Sequence, residues 1–155
     1  MAQVSEVLDN LIEICAEAEN CYRACARLMQ EQGKSRALLH CAKRAARARR
    51  HLTKLAAQIG DTPCDGPVLA QPAAGTPAFA AVSDAASALG MCERLEAVTM
   101  MRYRDALDFD LPLPARKMLQ RQFDELLQRH AHRERERARP SLAAVGRMER
   151  LAIAR

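Results

Sequence analysis

Aromatic residues are scarce in this chain of 155 residues, at 3% of the sequence with no tryptophan. β-Branched residues are sparse too, whereas Ala, Leu and Arg, which are strong helix formers, dominate the composition. Strands depend on aromatic and β-branched side chains, so the composition argues against a sheet. At this length we expect one all-α domain with a hydrophobic core of its own.

Long apolar runs are also missing, because none approaches the roughly 20 residues that a membrane-spanning helix needs. The first residues, Met1 to Glu6, lack the basic and apolar regions of a secretory signal peptide. We therefore expect no membrane partner and a cytoplasmic location. In that compartment the six cysteines would be mostly reduced thiols.

Four stretches carry apolar residues at the helical period, which predicts four long amphipathic helices. Their expected bounds are about residues 5–32, 35–59, 84–107 and 114–139. Ser5 is expected to cap the first helix and Gly33 to end it. Pro140 ends the fourth helix, and helical spacing in residues 140–155 predicts a short amphipathic tail, the fifth helix.

The connection between the second and third helices, residues 60–83, contains four prolines and three glycines and cannot be regular helix. Extended, it reaches on the order of 80 Å, about twice the length of a 25-residue helix. One long connection between two short ones predicts two helical hairpins joined by a long crossover. That is the topology of a ferritin-like four-helix bundle, here over residues 1–139.

Polar residues interrupt the predicted apolar stripes at three positions, Glu19, Glu96 and His130. A charged group inside a bundle is costly unless something pairs with it, and a metal ion is one such partner. His51 lies less centrally on the second helix and is a weaker candidate. The candidate metal ligands are therefore Glu19, Glu96, His130 and His51.

Ferritin-like di-iron sites take one glutamate from each of two helices and a Glu-x-x-His pair from each of the others. The single glutamates and both histidines have matching positions here. The glutamates of the two pairs are replaced by Ala48 and Leu127. Without these bridging carboxylates we expect neither ferroxidase nor other oxidoreductase activity.

Two interpretations of the inward residues remain open. One is a site for a single ion of iron, manganese or zinc. The other is a metal-free hydrogen-bonded network, completed by Tyr22 or Tyr103, that only fixes helix register in a structural or interaction protein.

Sulfur supplies a third alternative, since Cys21 and Cys25 form a C-x3-C pair on one helix face. Thiolates and thioethers favour Cu(I) and Zn(II), so the chain could act as a soft-metal, copper-binding buffer. The simpler interpretation is that cysteine and methionine fill the core as small or flexible apolar groups.

Charge is uneven along the chain, whose net charge is +5. The first helix is acidic, whereas residues 34–54 hold eight Lys or Arg and no acid. No aromatic residues interleave with them and no recognition motif is present, so we expect no nucleic-acid partner and predict charge pairing between the two helices. No motif identifies a small-molecule substrate. The Met-rich third helix and the tail could supply a dimer surface.

Several of these motifs resemble a family of uncharacterised bacterial proteins with a ferritin-like four-helix bundle. The resemblance covers roughly residues 4–139. It is carried by Leu8 to Glu13, Glu19, Tyr22-Arg23, Cys92 to Glu96, Tyr103 to Leu107, Arg121 to Asp124 and His130. It implies a ferritin-like fold and a metal-binding or stress-related role.

Overall fold

The computed structural model describes residues 2–60 and 84–139, which form four α-helices. The helices are α1 (Ala2–Leu28), α2 (Gln32–Ile59), α3 (Ala85–Leu107) and α4 (Leu113–Ala138). These two segments contain no strand, which confirms the all-α prediction. The predicted crossover, apart from its first residue, and the predicted tail lie outside the described residues.

The turn between α1 and α2 comes earlier than the sequence predicts. Helix α1 already includes Ser5 and ends at Leu28, and Gly33 lies in the first turn of α2. The predictions of a cap at Ser5 and a stop at Gly33 are therefore wrong. The Ser35 hydroxyl donates to the Ala26 carbonyl at 3.0 Å, which satisfies one of the free carbonyls at the end of α1.

The ends of the long connection carry recognisable caps. The Gly60 amide donates to the Ala56 carbonyl at 2.9 Å, and α2 ends there as predicted. At the start of α3 the Asp84 carboxylate accepts a hydrogen bond from the Ser87 amide at 2.8 Å. This bond lowers the pKa of Asp84, because it stabilises the charged carboxylate at the helix N-terminus.

Helix α1 packs against α2 and α3, and α3 packs against α4. Cys15 lies beside Tyr103, whereas Tyr22 lies beside Glu96, so α1 and α3 are antiparallel. The short connections make α1–α2 and α3–α4 antiparallel hairpins as well. Helices α2 and α3 therefore run in the same direction.

The core lies on the α1 side of the molecule. Its largest fully buried side chains are Leu8, Leu11 and Ile14 of α1, Leu52 of α2, Tyr103 of α3 and Leu119 of α4. Of the described helices, α2 and α4 face each other with little direct packing, and a groove separates them. None of the described helices is both long enough and apolar enough to cross a membrane.

Candidate functional site

A groove of about 800 Å³ lies between α2 and α4. Its lining residues recur at helical spacing, as one stripe on each of the two helices. Five arginines belong to this lining, two from α2 and three from α4: Arg44, Arg47, Arg121, Arg129 and Arg133. Imidazole rings add to the polar wall through His40, His51 and His132.

Positive charge dominates the groove, because the carboxylates in its described lining are Glu96 and Glu125 alone. Arg44, Arg47 and Arg121 are exposed and have no ion-pair partner among the described residues. Like charges gathered in a concave, partly desolvated surface focus the field and raise the local concentration of anions.

The predicted charge pairing between the first two helices holds for one arginine of α2, which lies outside the groove lining. Arg49 pairs with Glu19 of α1 at 3.1 Å. Arg44 and Arg47 instead line the groove, so the prediction is wrong for them. The difference follows from the helical period, since Arg44 and Arg47 lie on the face of α2 that is turned towards α4.

Glu96 of α3 lies at the base of the groove and is buried, with 5% of its surface exposed. Arg133 of α4 forms an ion pair with its Oε2, and the Tyr22 hydroxyl donates to the same oxygen at 3.4 Å. His130 Nδ1 lies 3.5 Å from Oε1. The structure thus brings Glu96 and His130 together, with a guanidinium neutralising the buried carboxylate.

Glu19 has a different surrounding. Its carboxylate pairs with Arg23 at 3.0 Å and with Arg49 at 3.1 Å, and its side chain is 15% exposed. His51 lines the groove on α2. In the described parts of the chain, no three or more His, Cys, Asp or Glu side chains are grouped so that they could hold a metal ion. Glu19 and His51 therefore do not join Glu96 and His130 in such a group.

A smaller cavity of about 50 Å³ lies behind the groove and reaches the contact between α1 and α3. Tyr22, Glu96, Gln122 and Arg129 line both spaces. Gln122 is buried, with 7% of its surface exposed, and its Oε1 accepts a hydrogen bond from the Tyr103 hydroxyl at 2.8 Å. The cavity is therefore an inner extension of the groove with polar groups in its wall.

Thiols occupy the contact between α1 and α3. Cys21 Sγ lies 3.3 Å from Cys92 Sγ, and Cys15 Sγ lies 3.5 Å from the Tyr103 hydroxyl. Burial raises the pKa of Cys15 to about 11 and that of Cys25 to about 12. Both thiols are therefore protonated at neutral pH and pack as neutral groups.

Burial likewise raises the pKa of Tyr22, to about 12, although the charges of Arg133 and Arg129 oppose the shift. Its hydroxyl is therefore a neutral donor at neutral pH, and it faces the anionic Glu96. The inner wall contains two carboxylates, Glu96 and Glu125, and the Tyr22 hydroxyl stabilises the charge of Glu96.

Gln122, Arg129 and Arg133 are not among the site residues predicted from the sequence. A signal for Arg133 is present, because it falls on the apolar stripe of α4 three residues after His130. Gln122 and Arg129 also belong to this face, at spacings of seven and four residues. A polar residue on an apolar stripe therefore indicates a site residue, and this rule applies to arginine and glutamine as well as to glutamate.

Comparisons with known proteins assign no family. No protein-family model matches this chain, and no curated protein sequence matches it. The resemblance to a ferritin-like family therefore stays a prediction that depends on the motifs themselves.

Proposed function

We propose that the protein is a binding protein for small organic or inorganic polyanions, which it holds in the groove between α2 and α4. The observation that carries this proposal is the convergence of five arginines from two helices on one concave surface. Arg44, Arg47 and Arg121 are the first contacts, because their guanidinium groups have no carboxylate partner in the described chain.

Arginine suits this role because its planar guanidinium matches phosphate and carboxylate oxygens with two parallel hydrogen bonds. The groove volume of about 800 Å³ falls in the range of small-molecule sites. Its described lining contains one tyrosine and no phenylalanine, so it has little surface for stacking successive bases. A compact polyanion therefore fits the groove better than a nucleic acid.

The test measures binding of pyrophosphate and citrate to the full-length protein by calorimetry, at low and high salt. The double variant Arg44→Gln, Arg47→Gln should weaken binding about a hundredfold or more, because each of the two charge-assisted contacts contributes about 1.5–3 kcal/mol. The matched control is Arg36→Gln, Lys43→Gln, which removes the same charge from exposed positions of α2 outside the groove lining.

Three results would overturn the proposal. The first is equal weakening by the two double variants, which would indicate a non-specific effect of net charge. The second is absence of binding at millimolar ligand. The third is a clear preference for a short DNA duplex over both probes, which would make the groove a nucleic-acid surface.

A metal site stays a second candidate, supported by the 3.5 Å distance between Glu96 Oε1 and His130 Nδ1. An oxygen and a nitrogen ligand at this spacing suit zinc, iron or manganese. The ion would have to displace Arg133 from Glu96 or complete its coordination with water. Elemental analysis of the purified protein tests this candidate, since bound metal should be lost in a Glu96→Gln variant.

The fold that we propose for the whole chain is the ferritin-like bundle. It is supported by α2 and α3 running in the same direction, because a connection between parallel helices must return along their length. Limited proteolysis of residues 61–83, with mass spectrometry of the products, would test whether the bundle stays assembled after this connection is cut.

A further inference from the structure

Two buried polar atoms in the cavity wall have no hydrogen-bond partner among the described residues: Glu96 Oε1, which lies 3.5 Å from His130 Nδ1 without a hydrogen bond, and Gln122 Nε2. Both side chains are more than nine-tenths buried, and both line the cavity of about 50 Å³ as well as the groove. Leaving a buried polar atom unpaired costs free energy, so native structures supply a partner in nearly every case.

The two atoms need opposite kinds of hydrogen-bond partner. Glu96 Oε1 is an acceptor, whereas the Gln122 amide nitrogen is a donor. A hydroxyl group both donates and accepts, so one kind of group can satisfy both atoms. An ammonium group cannot, because it has no lone pair to accept a hydrogen bond from the Gln122 amide.

The size of the cavity limits what can enter. A single water needs roughly 10–15 Å³ of such space, so about 50 Å³ admits a few water molecules or a short hydroxylated carbon chain. In the free protein, ordered water would fill the cavity. A ligand hydroxyl that reproduces the bonds of that water can replace it without loss of affinity.

We infer that the anion bound in the groove carries hydroxyl groups that enter this cavity, so that the ligand class is a phosphorylated or carboxylated polyol. The inference rests on the proposed function, because the arginines of the groove must hold the anionic end. Glu96 Oε1 then accepts from a ligand hydroxyl and Gln122 Nε2 donates to one. The ligand thus gains affinity from its uncharged end.

The test compares ligands of equal length and charge on the full-length wild-type protein. Glycerol 3-phosphate should bind about tenfold more tightly than propyl phosphate, which lacks the two hydroxyls. Glycerate and propionate form the same comparison for a carboxylate, and the tighter of the two hydroxylated ligands identifies the anionic group.

A Gln122→Met variant should keep only part of the preference for glycerol 3-phosphate over propyl phosphate, because Glu96 Oε1 still accepts from one ligand hydroxyl. Thr99→Val is the matched control, because Thr99 is buried in the same wall but its hydroxyl already donates to the Leu95 carbonyl at 2.7 Å. That variant should keep the preference for the hydroxylated ligand.

Equal affinities of the wild-type protein for the hydroxylated and plain ligands would overturn this inference and leave the polyanion groove standing. If neither pyrophosphate nor citrate binds, the proposed function fails and the inference fails with it. The wild-type comparison needs no substitution, so it decides the inference even if a variant does not fold.

Discussion

The contact between α1 and α3 and the region between α2 and α4 differ in how closely their helices pack and in which side chains lie between them. Between α1 and α3 the contact is rich in sulfur, with Cys21 against Cys92 and Cys15 against Tyr103. Between α2 and α4 a groove lined by arginines stays open. Both sides belong to one four-helix arrangement, so residue choice decides which pair of helices closes.

This difference separates the region that stabilises the fold from the region that we propose as a binding site. Small thiols let α1 and α3 approach, and their burial contributes apolar stabilisation without charge. Guanidinium groups on both walls of the groove repel each other and prefer solvent, which keeps α2 and α4 apart. We call the contact between α1 and α3 the closed side, because it buries neutral groups that stabilise the fold. We call the groove between α2 and α4 the open side, because it leaves space for the ligand that we propose.

The largest expected effect comes from truncating the closed side. Leu11→Ala removes a fully buried side chain of α1 and should lower the free energy of unfolding by about 2–5 kcal/mol. Arg47→Gln in the groove should change it by less than about 0.5 kcal/mol, because the side chain is exposed. Urea denaturation of both variants measures the contrast, and comparable losses would contradict the division between the two sides.

The sequence predicts the four helices and the inward positions of Glu96 and His130, because both depend on helical periodicity. It does not predict the break at residues 29–31, which depends on the contact between Ser35 and the Ala26 carbonyl. It assigns Arg44 to charge pairing with α1, since a sequence shows which charges are near in the chain but not which helix face stays open. The groove is a property of packing between helices.

An effect of intermediate size is expected from substitution of Arg133 of α4, which forms an ion pair with Glu96 of α3. Arg133→Met leaves the carboxylate of Glu96 buried with Tyr22 and His130 as its neighbours, and should cost about 1–3 kcal/mol in urea denaturation. The loss is smaller than for a fully buried pair because the Arg133 side chain is 37% exposed. Adding Glu96→Leu should recover most of the loss.

Arg137 provides the matched control for this prediction. It lies one turn further along α4 and pairs with Glu93 of α3, but both side chains are about half exposed. Arg137→Met should therefore cost less than about 1 kcal/mol. Equal losses for the Arg133 and Arg137 variants would show that burial of Glu96 does not set the strength of its pairing.

The last expected effect is a pH dependence at the contact between α1 and α3, which is absent at neutral pH and develops only above pH 9. Burial raises the pKa of Cys15 from its usual 9.0 to about 11. Between these values the unfolded chain has released a proton that the folded chain retains. The contribution of this thiol to stability is therefore complete below pH 9 and falls by about 1.4 kcal/mol per pH unit as the pH rises towards 11.

Urea denaturation between pH 7 and pH 10.5 tests the source of this slope. Cys15→Ala should be less stable than the wild type at pH 7 but should lose stability less steeply above pH 9, because one titrating thiol is gone. Ile14→Val, a change at the neighbouring buried position, should lower stability at every pH and keep the wild-type slope. An unchanged slope in the Cys15→Ala variant would show that the titration of Cys15 does not contribute to the loss of stability above pH 9.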